Sequence, residues 1–484
     1  MLIERFLELS KEDPDAAMLS DHNRTLTRAE VLDLAARTAS LLGQHGVGSN
    51  TRIGLSLRDS LEFTIAYFGI WYFGACAVPL DFRTPADRRV ALASDFRLSA
   101  VLEDRATPGL SESLVVDASW REARSRSVPV EPVADPTRPV VISLTSGTSG
   151  APQGIQLDQA RMFARMTLAH EYTNRRRIRH LSTLPLSYSG ARNHMTASLL
   201  NGSAVVFRPP LFSIGEFVET IEREAITHAY IVPTIARGLL DLTVDRTTPL
   251  FPSVERLSVG GASLNPKEKM RFRVAVSKGF TETYSSGLTG NIARLQGQDV
   301  DDHPETAGRI NTTVKLEIVD EADHPVPAGE AGRIRVQSPY IANSIIRSGD
   351  RASSERLSNG WAYPDDLGRI VDGEFLQILG RQSDLILRGG ANVYPAEVER
   401  ALSSVPGLHE IAVSGYHDHR LGEEVAAFFV ADDTDVEGLL ERASLLLLSP
   451  DKRPRRFVRL DALPRNTNGK VLRRKLRELM ESGE

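Results

Sequence analysis

The sequence predicts an α/β protein with a large N-terminal domain of α/β sheet subdomains, a β-rich subdomain, and a small α+β C-terminal domain. Three observations carry this. Apolar, β-branched runs alternate with segments of helical periodicity from Leu26 to Leu242, the pattern of a largely parallel sheet covered by helices. Between Val314 and Gln337 the helical period gives way to short strands punctuated by turns at Asp323-His-Pro and Ala328-Gly-Glu. Near Gly380-Arg-Gln-Ser383 the pattern changes again, and the rest of the chain reads β-β-α-β-β-α. The expected division is 1–381 and 382–484.

Taken in order, Thr27 and Glu30 form a capping-box pattern that opens the first clear helix, with Val31, Leu34, Ala35, Leu41 and Leu42 on its apolar face. A strand near Arg52–Leu57, a helix from Ser60 to Phe73 and a strand near Ala75–Leu80 follow. The long apolar run Phe63–Leu80 contains two glycines and ends in Val-Pro-Leu-Asp, which suits a helix and a strand better than a membrane span. Strand and helix alternate through Ser99–Leu102 to the strand Val140–Ile142. Leu157–Tyr172 reads as helix, then come strands at Ser203–Phe207 and His228–Val232, and helices at Phe217–Arg223 and Pro233–Leu242. Arg256–Ala262 is a strand running into glycines, and Thr281–Gly290 reads as a polar, glycine-punctuated loop.

Composition sets limits on function. The 484 residues are 41% hydrophobic and 25% charged, the balance of a soluble globular protein. A net charge of -5 provides no global field for nucleic acid. The single cysteine, Cys76, excludes an intrachain disulfide and a cysteine zinc site, and reads as a core residue. Met1-Leu-Ile-Glu-Arg-Phe6 carries early charge and no apolar signal region, so the expected location is cytoplasmic. The basic run from Lys452 to Arg477 reads either as a solvated face or as a contact surface for an acidic or phosphate-bearing partner.

The most informative stretch is Ser143-Leu-Thr-Ser-Gly-Thr-Ser-Gly-Ala-Pro-Gln-Gly-Ile155. Interleaved glycines and hydroxyls after a buried strand form a backbone N–H nest suited to phosphate oxygens. A flexible Gly/Ser linker has the same composition, and the segment alone leaves both readings open. No Gly-Lys-Ser/Thr follows, so it is not a Walker loop.

Four segments, read together, identify a family. Thr145-Ser-Gly-Thr-Ser-Gly-Ala-Pro-Gln-Gly154 resembles the phosphate loop of the adenylate-forming superfamily, which comprises acyl- and aryl-CoA synthetases, adenylation domains of nonribosomal peptide synthetases and firefly-type luciferases. Gly360–Gly368, with Asp366, is similar to its aspartate segment. Leu379–Glu399 resembles its hinge and the start of its C-terminal domain, and Leu463–Arg474 its C-terminal lysine motif. The motifs stand in family order, and the resemblance spans nearly the whole chain.

The resemblance implies two half-reactions. A carboxylate attacks the α-phosphorus of ATP, giving an acyl-adenylate and pyrophosphate. A mobile C-terminal domain then rotates, and the thiol of CoA or of a carrier protein's phosphopantetheine displaces AMP. It implies ATP and Mg2+ as cofactors, and assigns residues by matched position. Thr145, Ser146, Gly147, Thr148, Ser149 and Gly150 embrace the outer phosphates. Gly260, Gly261 and Ala262 flank adenine and the acyl pocket, Tyr284 stacks on adenine, Asp366 accepts from the ribose hydroxyls, and Arg381 lies near ribose and phosphate. Lys470 bridges the carboxylate and the α-phosphate as the catalytic residue of adenylation. Ser383 is the hinge, and Gly389 and Gly390 line the pantetheine tunnel. Tyr188, Asn193, Ser285, Ser286 and Gly287 line the acyl pocket.

Three departures stand out. The loop lysine of the family is Gln153, its magnesium-ligating glutamate is Leu288 preceded by Gly287, and the hinge Asp or Lys is Ser383, next to Asp384. Leucine cannot hold a hard cation; Thr289, Glu282 or a water are the candidate replacements. The outer phosphates are therefore expected to be gripped by hydroxyls and backbone N–H groups with less charge. No early Phe-Asp pair accompanies Tyr188, which argues against an α-amino acid substrate, while the Ser, Tyr and Asn content suggests a polar or hydroxylated acid. The expected activity is an ATP-dependent acid–thiol ligase acting on a small carboxylic acid, with no nucleic-acid or membrane partner. The rivals are an adenylating enzyme using an amine acceptor or a non-carboxylate acid, and a degraded nucleotide-binding subunit.

Overall fold

The computed structural model describes residues 2–146, 152–168, 178–208, 213–244, 246–347, 351–353, 356–432, 435–465 and 471–482. Three sheets organise them. The first is parallel at its centre. Arg52–Ser56 lies between Cys76–Pro79 and Leu98–Glu103, and Cys76–Pro79 pairs with Pro139–Ser146. Pro139–Ser146 then turns into an antiparallel pair with Pro152–Asp158, and Ser344–Arg347 adds to the outer edge.

The helix Ser60–Phe73 fills the space between sheets. Asp59 caps it by accepting from Leu61 N and Glu62 N, and Gly74 ends it in the left-handed conformation at φ 76°. It is buried nearly all round, with Phe63, Tyr67, Phe68 and Trp71 in the main core, which explains why it lacks the polar stripe of a surface helix. The capping box at Thr27 and Glu30 is formed, with both reciprocal bonds present. Cys76 is buried, and burial pushes its thiol up to about 12, as suits a core residue. Among the described residues no helix is long and apolar enough to cross a membrane.

The second sheet is parallel from Ala17–Ser20 through Ala204–Phe207, Arg179–Ser182, His228–Ile231 and Arg256–Val259 to Phe280–Ser286. It continues antiparallel through Gly290–Gln296 and Arg309–Ile310 to Phe375–Arg381, Asp366–Val371 and Gly332–Gln337. Two expectations are corrected here. Thr281–Gly290 is not a loop but a hairpin, with Tyr284 opposite Ala293 and a tight turn at 287–289; Tyr284 bonds Asp366 on another strand. The helix expected over Leu157–Tyr172 starts only at Gln159, because Gln156, Leu157 and Asp158 complete the ladder with Pro139–Ser146. Asp158 then accepts from Arg161 N at 2.7 Å, a cap that fixes the start. Residues 169–172 lie outside the described residues.

The third sheet belongs to the small C-terminal lobe: Ile386–Arg388, Ala391–Val393, Leu408–Asp418 and Gly422–Ala431, with helices Pro395–Leu402 and Val436–Leu447. The six expected elements are followed by a parallel strand, Arg456–Arg459, and a helix, Arg473–Ser482. Much of the basic run is engaged within this lobe. Arg473 pairs with Glu399 at 2.6 Å, Lys452 with Glu397 at 2.7 Å and Arg477 with Glu423 at 3.1 Å, while Arg453 and Arg459 donate to backbone carbonyls.

Candidate active site

The second sheet brings together three residues far apart in sequence. Tyr284 leaves the strand Phe280–Ser286, and its hydroxyl donates to the Asp366 carboxylate in a very short hydrogen bond. Asp366 and Arg381 face each other across adjacent antiparallel strands, with Arg381 Nε 3.8 Å from Asp366 Oδ1. Burial and the neighbouring Asp366 push the Tyr284 phenol well above its ordinary value, so it remains a donor at any physiological pH. Arg356 pairs with Asp365 at 2.9 Å beside this group. An acid with one oxygen held by a phenol and the other near a guanidinium is fixed in orientation, as an acceptor for a diol must be.

A second group surrounds the carboxyl end of the parallel strands. Tyr188 begins the helix Ser189–Leu200, and its hydroxyl lies 3.3 Å from that of Tyr230, on the strand His228–Ile231. Gly260 and Gly261 follow Arg256–Val259, and Gly261 has φ 88°. A Cβ at Gly260 would stand 2.7 Å from Tyr230 Oη, and one at Gly261 2.7 Å from Tyr188 Oη, so both positions need glycine. His194 stacks on Tyr230 with ring centroids 4.3 Å apart. Asn193 sits half-buried on the same helix. Ala262 is half-buried after the glycines.

The strand Pro139–Ser146 leads into the phosphate loop. Of the residues assigned to it, Gly147, Thr148, Ser149 and Gly150 lie outside the described residues, as does Lys470. Thr145 and the backbone of Ser146 end the strand that leads in. Across from them, the Ser285–Gly287 segment ends the opposing hairpin strand. Ser285 is exposed, Ser286 Oγ bonds Thr289 Oγ1 at 2.8 Å, and a Cβ at Gly287 would lie 3.9 Å from Thr145 Cγ2.

Two buried arginines absent from the sequence-based assignment hold these walls. Arg165, 2% exposed, donates to the carbonyls of Gly287 at 2.9 Å, Tyr340 at 2.8 Å and Leu288 at 3.4 Å. Arg192, fully buried, donates to Leu186 O at 2.8 Å, Ser187 O at 3.1 Å and Ser143 Oγ at 2.5 Å. It thereby ties the loop before Tyr188 to the strand of the phosphate loop. Burial lowers both guanidinium pKa values, that of Arg165 to about 10. Among the described residues neither makes an ion pair. Each had a faint signal: Arg165 shares the buried helical face of Met162 and Met166, and Arg192 interrupts an otherwise small-residue helix.

The candidate replacements for a metal-ligating carboxylate are committed elsewhere. Leu288 is 1% exposed and packs in the main core. Glu282 pairs with Lys269 at 2.8 Å and accepts from Ser263 Oγ and Leu264 N. The Thr289 hydroxyl is buried between Ser286 Oγ and Gly290 O. The residues present at this turn do not fit a protein-held magnesium ion.

In the small lobe, Ser383 is exposed in a single turn, Gln382–Asp384, between a strand of the second sheet and one of the third. Gly389 and Gly390 form a two-residue hairpin turn with φ 56° and 87°, and Gly389 N donates to Leu421 O within the lobe. Arg465 and Val471 pair across the base of the segment carrying Lys470. Arg465 pairs with Glu410 at 2.5 Å, and Glu410 lies 4.0 Å from Arg237, on the helix that follows Tyr230 in the large domain.

A cavity of about 860 Å3 lies apart from the Tyr284 cluster, beyond the carboxyl ends of Arg52–Ser56 and Leu98–Glu103, and is lined among others by Arg58, Phe82, Asp104, Arg105 and Arg208. A narrow cleft shares Arg58, Ser60 and Phe82 with it and is walled by Pro185, Leu186 and Ser187, next to Tyr188.

Comparison with known proteins fits this geometry. Residues 6–345 match the model of the AMP-binding enzyme family, and 397–470 that of the AMP-binding enzyme C-terminal domain. The chain is 30% identical to indoleacetate–CoA ligase of Aromatoleum aromaticum, over 97% of this chain and 96% of the relative. It is 28% identical to 2-succinylbenzoate–CoA ligase of Bacillus subtilis, over 96% and 95%. The structure of o-succinylbenzoate CoA synthetase from Bacillus subtilis in complex with its acyl-adenylate intermediate superposes with a TM-score of 0.85 at 25% identity, covering 98% of this chain and 97% of that one.

Proposed function

The chain belongs to the AMP-binding enzyme family, and we propose that it is an AMP-forming acid–CoA ligase acting on an aryl or otherwise polar carboxylic acid. The observation that carries this is the convergence of Tyr284, Asp366 and Arg381 from three strands. The substrate carboxylate attacks the α-phosphorus of ATP, the bond to the β-phosphate oxygen breaks, and pyrophosphate leaves. The CoA thiol then attacks the acyl carbon of the mixed anhydride, and AMP leaves. Asp366 and Tyr284 orient the ribose, and the glycines at 260 and 261 let the acyl group lie against the two tyrosines. Lys470 neutralises charge between the carboxylate and the α-phosphate. The link from Arg465 through Glu410 to Arg237 supports that role, because it ties the base of the lysine segment to the helix following Tyr230.

Magnesium would enter with ATP, held by the nucleotide rather than by a protein carboxylate at 288; the Bacillus subtilis synthetase has been solved with ATP and a magnesium ion. The domains divide at 381 and 382, with Ser383 absorbing the rotation between half-reactions and Gly389 and Gly390 lining the thiol path. The long interlobe ion pairs, 4.0 Å for Arg237 with Glu410 and 3.9 Å for Arg369 with Glu397, suit a lobe that moves. CoA is the favoured acceptor over a carrier protein. The 860 Å3 cavity presents Arg58 and Arg105 for its phosphates, and Phe82 for its adenine, beside the cleft walled by Pro185, Leu186 and Ser187. A cytoplasmic setting supplies both ATP and CoA.

The test is incubation with ATP, magnesium and a panel of acids, with and without CoA or a phosphopantetheinylated carrier, reading pyrophosphate, AMP and thioester by mass. CoA thioesters of aryl acids are the expected products. Exclusive use of unsubstituted long-chain fatty acids would overturn the substrate class, and AMP without thioester would point to an amine acceptor.

A further inference from the structure

Three glycines from two segments converge on the two phenols of Tyr188 and Tyr230. A Cβ at Gly190, in the first turn of the helix Ser189–Leu200, would stand 2.6 Å from Tyr230 Oη. One at Gly260 would stand 2.7 Å from the same oxygen, and one at Gly261 2.7 Å from Tyr188 Oη. Any side chain at these positions would displace a hydroxyl, so glycine keeps the space around both phenols clear. Gly260 is buried and Gly261 exposed, so the pair is approached past Gly261 and Tyr188.

Two phenols carry two O–H donors, and the single contact between them, at 3.3 Å, uses one. Among the described residues neither hydroxyl has another hydrogen-bond partner. Tyr230 is 6% exposed, with Gly190 and Gly260 against its oxygen and the His194 ring stacked on its face, so its hydrogen can reach only Tyr188 Oη. Tyr188 is half-buried beside the exposed Gly261, and its own hydrogen is left for whatever occupies the space there. Burial raises both phenol pKa values, so both remain donors at neutral pH. An acceptor on a ligand would satisfy the remaining donor, whereas a hydrocarbon would leave it unpaired and shut off from water, which is costly.

We propose that the Tyr188 hydroxyl, aimed by Tyr230, selects acids that carry an acceptor oxygen beyond the carboxylate over hydrocarbon acids of the same shape. This narrows the acid class of the ligase reading above and rests on that reading. The carboxylate itself is not the acceptor meant, because it must reach the α-phosphorus. Tyr188 touches the acid, and Tyr230 acts through Tyr188 as a positioning residue. A site built around a hydrogen bond rejects the analogue that lacks it, since its own polar group is then left without a partner.

The experiment measures kcat/KM for pyrophosphate release by the full chain with ATP and magnesium. It compares ortho-, meta- and para-acetylbenzoate with the matching isopropenylbenzoates, in which a methylene replaces the carbonyl oxygen, and the same pairs of phenylacetates. In the unaltered protein at least one acetyl acid should exceed its hydrocarbon twin by about tenfold, the scale of one hydrogen bond gained against one buried donor left unpaired. Tyr188→Phe should bring that ratio below about twofold, with the loss on the acetyl acid, and Tyr230→Phe should lower it by about threefold. A merely structural role would lower both twins together and leave the ratio unchanged. That result in either variant would overturn the proposal, as would a ratio below about twofold for every pair in the unaltered protein. Should the variants fail to fold, the ratios in the unaltered protein decide alone. Absence of pyrophosphate release with every acid would instead overturn the ligase reading, and the proposal with it.

Discussion

The side of the candidate site proposed for ribose and the side proposed for phosphate are built differently. On the side proposed for ribose, Tyr284, Asp366 and Arg381 come from three strands of one sheet and meet through side-chain contacts whose geometry depends on each residue type. On the other side, the strand Pro152–Asp158 carries Gln153, the turn at 287–289 carries Leu288, and the buried Arg165 and Arg192 hold the walls by bonds to carbonyls and to Ser143 Oγ. A hydrogen bond to a diol is short-ranged and directional, so its residue cannot move. A Coulomb field falls off slowly in a low-dielectric wall, so charge is less tied to one position.

The largest test falls on neither wall. Lys470→Ala should cut adenylate formation by about a hundredfold to a thousandfold, the scale of losing one transition-state donor. It should largely spare thioester formation from a supplied acyl-adenylate, and stopped-time mass analysis of both half-reactions checks this.

Asp366→Ala comes next. It should weaken ATP and AMP alike, by about tenfold to a hundredfold, because both carry the ribose. Calorimetric titration with the two nucleotides reads the ratio, and a loss confined to ATP would collapse the distinction between the two sides. Tyr284→Phe should act in the same direction and by less, about twofold to tenfold for both nucleotides, since it removes one neutral donor from Asp366. Binding measured in the unaltered protein should stay flat as pH rises to about 9, because the Tyr284 phenol is pushed well above its ordinary value.

Two changes should leave the nucleotide ratio nearly untouched and act on stability instead. Arg165→Leu strands the carbonyls of Gly287, Leu288 and Tyr340 and should cost about 2–4 kcal/mol in urea unfolding. At Glu62, burial pushes the carboxyl up, but Arg124, Arg24 and Arg121 outweigh it and hold it down at about 2. A depressed folded value stabilises above the ordinary carboxylate range, and that stabilisation is lost as pH falls from about 4.5 toward 2. Glu62→Gln should flatten this part of the acid-unfolding curve.

Local patterns were legible where one stretch contains its own cause. Thr27 and Glu30 cap a helix within four residues, and the run at 60–80 resolves into a buried helix and a strand. The polar hairpin at 280–296 was not legible, because Tyr284, Ser285 and Ser286 are paired by a strand that follows them, and Tyr284 bonds Asp366 from far along the chain. The strand Arg456–Arg459 was missed for a related reason. Its four residues begin and end in arginine, and only the neighbouring Gly422–Ala431 makes them a ladder.

The amino-acid sequence by itself determined the order of the motifs and the alternating sheet architecture, and singled out Tyr284, Asp366 and Arg381, which the fold brings together, since each is recorded in short patterns or matched types. It also exposed what was missing at 153 and 288, and from these alone the cradle looked poor in charge. Only the tertiary structure placed Tyr230 behind Tyr188, set Arg165 and Arg192 behind the walls, and committed Glu282 to Lys269. Strand register and burial depend on contacts between segments far apart in the chain, and no local pattern encodes which arginine will stand behind which wall.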